Sequence, residues 1–421
     1  MKNLDFKSFE YECDNGLRVI LVHKPDFSRS FFLCGIKCGG VDRTQFINKE
    51  KIIYPSGCAH FLEHVMFHYQ GGDVSDQFAQ LSCQVNAFTS PYETAFYFST
   101  TEDPEQPLDL LLRFVQSLDL NDDIVEKEKG IILSEWEMVH QNPDSAFLMS
   151  VWNALYDKHP MKDDVIGKKE DILSMDKKNL ESFYRNHYDP KNMILIGVSA
   201  QDPQKLINEI KKIESSFPNC TGRQENPFLF KESLQVADPF YVKTMDINNP
   251  YVGLAVKLKP EEDPQVRFLL ETQIQLTLDA YFSTFSTEFQ AWIDQRILNL
   301  DSGAECDVMP DHAYLLFYAQ TAFSDQFYKI IEHVLWQMQN QKISDDIFTA
   351  LKNRLYAQQI RVFDRFEGLA IELFQSKIQG ISLTEQLDLI ASLDAESTFQ
   401  AVSRLDLSSQ SHIVIKGYDQ S

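Results

Sequence analysis

Three apolar, strand-like segments of this 421-residue chain recur at a nearly constant spacing. "FFLCGIK" at 31–37 is matched by "YVGLAVK" at 251–257, and "ETAFYFST" at 93–100 by "AYLLFYAQ" at 313–320, each a shift of 220 residues. "MILIGVS" at 193–199 is matched by "HIVIKGY" at 412–418, a shift of 219. One such pair carries little weight, because β-branched and aromatic residues fill most strands. Three pairs at one offset require the second half to fold like the first. Solenoid repeats run about 20–50 residues, so a period this long predicts a duplicated domain. The length is also too great for one ordinary core. The stretch 215–227, "SSFPNCTGRQENP", carries Pro218, Gly222 and Pro227 between apolar segments, as linkers do. It sets the domains at 1–219 and 228–421, joined by a short linker.

Within the first half, strand patterns cover 16–24, 31–37, 94–100 and 192–199. Helical patterns cover 56–68, 73–81, about 105–118, 122–157 with breaks, 176–186 and 203–216. The chain therefore reads as mixed α and β. Its net charge of −23 argues against nucleic acid, where Lys and Arg neutralise phosphates, and against anionic membrane surfaces. No run of 18 apolar residues is present to span a membrane, and "MKNLDFKSFEYECDNG" has no apolar signal core. Seven cysteines without a CxxC pair fit reduced thiols in a cytoplasm better than a disulfide framework.

The densest chemistry lies in "SGCAHFLEHVMFH", residues 56–68. His60, Glu63 and His64 read H-x-x-E-H, and positions i, i+3 and i+4 share one helical face. Two imidazoles there can grip one Zn²⁺, and a glutamate that does not ligate can take a proton from water. H-x-x-E-H is the inverted zincin motif. A lone buried histidine is more often a hydrogen-bonded core residue, but this triplet on one face is far more specific. His68 continues an i, i+4 series from His64, yet lies two turns from His60, too far to share an ion with both. It reads as a supporting or structural residue, and Cys58 as a small buried one. A shift of 220 from His60 lands on Ala280, so the second half lacks the motif. A pattern imposed by the shared fold should recur; one present in a single copy indicates chemistry.

A third protein ligand is still required. The segment 124–140 offers Glu126, Glu128, Glu135 and Glu137, with Glu128 and Glu135 two turns apart on one face. Spacing alone does not choose among them.

Beyond H-x-x-E-H, "NAFTSPYETAFY" (86–97), "EKGIILSE" (128–135), "HPMKDDVIGKKEDI" (159–172) and "FYRNHYDPKNMILIGVS" (183–199) complete a set. Over nearly all of 1–219 the chain resembles the inverted-zincin metallopeptidases that include pitrilysin, insulin-degrading enzyme and mitochondrial processing peptidase. It is most similar to half-length bacterial members found as tandem pairs. The resemblance implies an α+β fold of two homologous domains, each a mostly antiparallel sheet covered by helices, together half of a clamshell peptidase. It implies one Zn²⁺ held by His60, His64 and Glu135, with Glu63 as general base and Glu128 as the acid that supports a ligand. It also implies that Asn86, Ala87 and Phe88 lie on an edge strand that pairs with an extended substrate.

Many relatives carry an Arg and a Tyr seven residues apart in a later domain. Here Arg296 is followed seven residues on by Gly303, and the next Tyr is Tyr314. Arg296 then reads as an exposed helix residue. The expectation is a zinc-dependent endopeptidase acting on peptides or unfolded segments as the zinc-bearing subunit of a heterodimer. Its partner would be a related chain carrying the Arg–Tyr pair, with a homodimer as the other possibility. The rival readings are a non-catalytic or chaperone-like peptide binder that retains zinc, and a zinc hydrolase or lyase of small metabolites.

Overall fold

The computed structural model describes residues 7–47, 49–217, 226–227 and 232–418. Six strands of the first half form one sheet: β1 (Ser8–Glu12), β2 (Arg18–His23), β3 (Ser30–Ile36), β4 (Cys83–Thr89), β5 (Thr94–Thr100) and β6 (Met193–Ser199). Their order is β1-β2-β6-β3-β5-β4, with β2 and β6 parallel and every other pair antiparallel. All seven residues of β3 and all seven of β6 are buried. Central strands covered on both faces read as unbroken apolar runs rather than alternating ones, which is why these two were the most legible.

Five strands of the second half form another sheet: β7 (Phe240–Met245), β8 (Tyr251–Lys257), β9 (Gly303–Val308), β10 (Ala313–Gln320) and β11 (Gln410–Gly417). The order is β7-β11-β8-β10-β9, with β7 and β11 parallel and the rest antiparallel. This repeats β2-β6-β3-β5-β4 strand for strand and direction for direction. The three sequence repeats map one to one: β3 onto β8, β5 onto β10, and β6 onto β11. The expected fold, two homologous α+β domains with mostly antiparallel, helix-covered sheets, holds.

The compact units do not follow the division 1–219 and 228–421 read from the sequence. The first comprises Met1–Met138, Asp163–Phe228 and Arg361–Ile378; the second comprises Val139–Lys162, Leu229–Ile360 and Gln379–Ser421. The helical run over 122–157 is broken by Asn142 and Pro143, where Asn142 caps a new helix by accepting from Asp144 and Ser145 backbone N–H groups. That helix, Pro143–Leu155, packs on β7, β8 and β11 of the second sheet. In return, Phe374 of helix Phe366–Gln379 fills the space beside Gly35 in β3. Periodicity along the chain does not reveal such an exchange, because each helix is locally ordinary. Most of the expected linker, residues 218–225, lies outside the described residues. Asn226–Pro227 pair with Phe46 and Gln45 as a short strand.

Candidate metal centre

Helix α1, Cys58–Met66, carries the H-x-x-E-H residues. Phe61, Leu62 and Val65 are each at most 1% exposed. Burying such side chains contributes about 1.5–3 kcal/mol apiece, and this fixes which face of α1 is left to His60, Glu63 and His64. The helix begins at Gly57, whose φ of +79° lies in the left-handed region and whose carbonyl accepts the Phe61 N–H at 2.8 Å. A Cβ at Gly57 would collide with the Ile166 carbonyl, and one at Gly167 would come within 2.6 Å of the Ser56 carbonyl oxygen. Two glycines thus let the chain at 166–167 lie directly on the entry to α1. Ser56 completes the junction: its N–H and hydroxyl donate to Asp171, and its oxygen accepts the Lys168 N–H at 2.8 Å.

The helix expected over 56–68 ends at Met66. The following residues form a tight hairpin in which His68 pairs with Asp73 and Tyr69 with Gly72, turning through Gln70 and Gly71 at positive φ. His68 is therefore not one turn beyond His64 on a common face, as helical spacing implied. "QGG" at 70–72 was the available sign of this turn.

Helix α2, Asp122–Gln141, lies across from α1 and supplies the acids. Glu135 Oε2 is 3.3 Å from His64 Nε2, and Glu135 Oε1 is 3.7 Å from His60 Nε2. One ligand atom from each of His60, His64 and Glu135 lies within 4.8 Å of the others. Glu128 is 5% exposed and reaches His64 Nδ1 with Oε2 at 3.5 Å and His68 Nε2 with Oε1 at 3.0 Å. Glu126 and Glu137 face away, toward Lys129 at 2.6 Å and Lys169 at 3.2 Å. The four-way choice left by spacing thus reduces to Glu135 beside both histidines and Glu128 behind one of them.

This donor set fits a zinc ion. Four ligands with arms of about 2.0–2.1 Å set tetrahedral edges of about 3.3–3.5 Å, close to the N···O separations of 3.3 and 3.7 Å. Charge-assisted N–H···O bonds are shorter, about 2.7–2.9 Å. His60 is 8% exposed, and its Nδ1 is buried with no hydrogen-bond partner. Burial, with the neighbouring His64 adding to it, lowers the His60 pKa to about 3, so its imidazole stays neutral with a lone pair to give. Burial opposes charging His64 as well, but the hydrogen bond to Glu128 and the charges of Glu135 and Glu63 outweigh it and raise its pKa.

Glu63 stands beside this cluster without joining it. Thr89, the last residue of β4, donates its hydroxyl to Glu63 Oε2. Burial raises the proton affinity of Glu63, and the Thr89 hydrogen bond works against that rise. Thr89 lies in the "NAFTS" segment but was not among the residues singled out from sequence. Asn86, Ala87 and Phe88 lie on β4, which among the described residues pairs with β5 alone and so ends the sheet.

A second convergence, His159, Asp311 and His312, occurs in the second unit. Its hydrogen bonds oppose a metal. His159 Nδ1 accepts the Met161 N–H at 3.2 Å, so that nitrogen has no lone pair left for a metal, and Nε2 lies 3.2 Å from Asp311 Oδ2 in an ion-pair contact. His312 lies between Asp311 at 3.1 Å and Asp307 at 3.0 Å, one on each ring nitrogen. With a carboxylate on each ring nitrogen, His312 is placed as the cation of a buried ion network.

Arg296 is exposed, as expected, but is not helical. It follows helix Thr287–Asp294 at φ +60°, in the left-handed conformation common just past helix ends. Gly303 faces Tyr318 across the β9–β10 pair, and a Cβ there would lie 2.7 Å from the Tyr318 hydroxyl. Tyr314 is buried in β10 at 6% exposure.

Residues 53–169 match the insulinase domain of peptidase family M16, and residues 174–355 match the domain described as the peptidase M16 inactive domain. The chain is 30% identical over 298 residues, 69% of each protein, to YmfH of Bacillus subtilis strain 168, named as an uncharacterized zinc protease. It is 26% identical over 209 residues to the mitochondrial-processing peptidase subunit beta of Lentinula edodes, covering 48% of this chain and 43% of that one. Among solved structures it resembles an M16-like peptidase from Alicyclobacillus acidocaldarius, with a TM-score of 0.93, 23% identity and 99% of both chains covered. It also resembles the periplasmic protease PqqL of Escherichia coli, with a TM-score of 0.76 and 18% identity over 97% of this chain and 47% of PqqL.

Proposed function

Because the chain belongs to the insulinase family of peptidases, family M16, we propose that it is a zinc-dependent endopeptidase that hydrolyses peptides or unfolded segments. The observation that carries this reading is the convergence of His60, His64 and Glu135 with Glu63 poised alongside. His60, His64 and Glu135 would hold one Zn²⁺. Zinc bound there supplies a Lewis acid for a peptide carbonyl and makes a water molecule acidic. Glu63, the carboxylate beside the three ligating groups, would take a proton from the attacking water and pass it to the leaving amine. Thr89 occupies one oxygen of Glu63, which orients the carboxylate and leaves the other oxygen for the proton. Glu128 accepts the Nδ1 proton of His64 and so keeps its Nε2 lone pair toward the metal. The free edge of β4 at Asn86, Ala87 and Phe88 pairs with an extended peptide through backbone hydrogen bonds.

The second half has no H-x-x-E-H and no Arg–Tyr pair at seven-residue spacing. This supports assembly as the zinc-bearing subunit of a heterodimer whose partner is a related chain carrying that pair. The subunit name of the Lentinula relative and the fit to half of PqqL agree with such assembly. A cytoplasmic location rests on cysteines read as reduced thiols. Among the described residues no helix is long and apolar enough to cross a membrane.

The rival reading, a peptide-binding subunit that retains zinc, leaves Glu63 without a purpose. Zinc content and cleavage of a quenched peptide, with and without the partner chain, test the proposal. One zinc per chain with cleavage dependent on Glu63 is expected. Zinc without cleavage in any assembly favours the binder.

A further inference from the structure

The hairpin after α1 places a third histidine within reach of the metal centre through an intermediary. Glu128 divides its two oxygens between His64 Nδ1 at 3.5 Å and His68 Nε2 at 3.0 Å. The shorter contact is the one to His68. His68 is held by backbone pairing to Asp73, outside α1, so its ring approaches Glu128 from a different element than His64 does. A buried carboxylate gripped by one histidine alone can rotate about its χ angles. Gripped from two elements it has one orientation, and that orientation decides which nitrogen of His64 carries the proton.

We propose that His68 is a positioning residue for the metal centre. It locks Glu128, and Glu128 in turn locks the ring orientation and tautomer of His64. This rests on the zinc reading above and adds a residue that the H-x-x-E-H pattern and its distant glutamates do not include. His68 must donate through Nε2, so a side chain with a donor at similar reach should replace it in part. Glutamine meets that requirement and alanine does not.

The test is zinc affinity by competition with a chromophoric chelator, together with thermal unfolding of the zinc-free protein and the visible spectrum of the Co²⁺-substituted protein. His68→Ala should weaken zinc binding by about 10–100-fold, the range for supporting groups around metal ligands, and should alter the Co²⁺ spectrum. His68→Gln should recover most of the affinity. Glu128→Ala should weaken binding to a similar degree, and adding His68→Ala to it should change little, because both act through one contact. If His68→Ala lowers the stability of the zinc-free protein but leaves zinc affinity and the Co²⁺ spectrum unchanged, His68 only anchors the hairpin and the proposal fails. Additive losses in the double variant would also overturn it. A wild-type protein that takes up no zinc would instead overturn the metal reading itself.

Discussion

Thr89, at the end of the edge strand β4, donates its hydroxyl hydrogen to the carboxylate of Glu63 on α1. The contact joins the strand assigned to substrate with the side chain assigned to proton transfer. Thr89→Val keeps the β-branched shape and removes the donor. Hydrogen bonds to charged groups contribute about 1.5–3 kcal/mol, so turnover should fall about tenfold or more with zinc content intact. Thr89→Ser should restore most of it. Single-turnover cleavage of a quenched peptide measures both.

Glu63→Gln retains size and polarity but cannot accept a proton. The variant should bind one zinc per chain and lose about 10²–10⁴-fold in rate, the usual share of a general base. Elemental analysis alongside the cleavage assay reads the two quantities separately. Loss of zinc, or unchanged turnover, would contradict the assigned role.

Removing any one of His60, His64 or Glu135 would leave the proposed site with two protein ligands, where zinc sites use three or four. His60→Ala, His64→Ala and Glu135→Ala should each purify with far less than one zinc per chain. Chelation of the wild type should abolish cleavage, and returning zinc should restore it. Full zinc in Glu135→Ala would send the search for a third ligand back to α2.

Gly57→Ala places a Cβ at φ +79° against the Ile166 backbone. Left-handed strain costs about 1–3 kcal/mol, and a backbone neighbour cannot rotate away. The start of α1 should shift, lowering zinc affinity as well as stability. Chelator competition and thermal unfolding check the pair; an unchanged zinc affinity would mean that α1 tolerates the displacement.

The His312 network predicts a stability change at high pH. Burial disfavours the imidazolium, but hydrogen bonds to Asp307 and Asp311 prevail and raise its pKa to about 9. A pKa raised on folding stabilises below the unfolded value, about 6.5, and this contribution disappears as pH rises through about 9. Wild-type unfolding followed from pH 7 to 10 should show this loss, and His312→Gln should flatten it. An equal slope in the variant would assign the effect elsewhere.

The strand repeat was legible because its six strands, β3, β5, β6, β8, β10 and β11, all lie inside their sheets, and β3, β6 and β8 are buried along nearly their whole length, which leaves an apolar run that no distant partner alters. His60, Glu63 and His64 were legible because their spacing places them on one face of any helix. The assignment of Glu135 over its neighbours came from resemblance to a family, and the sequence by periodicity alone could not supply it. Glu126, Glu128, Glu135 and Glu137 differ only in what stands opposite them, and α1 is some sixty to eighty residues away along the chain.

What the sequence determined by itself was therefore local or periodic: two similar units of mixed α and β, one helical face shared by His60, Glu63 and His64, and no second copy of that motif. What tertiary structure decided was every contact between elements. It ended α1 at Met66 and turned His68 onto Glu128. It brought Thr89 to Glu63, put Arg296 in a turn, and exchanged Val139–Lys162 and Arg361–Ile378 between the units. The physical reason is the same in each case. Helix and strand periodicity is written within a few residues, whereas a carboxylate's partner depends on which elements pack together, and packing is settled by the burial of side chains far apart in the chain.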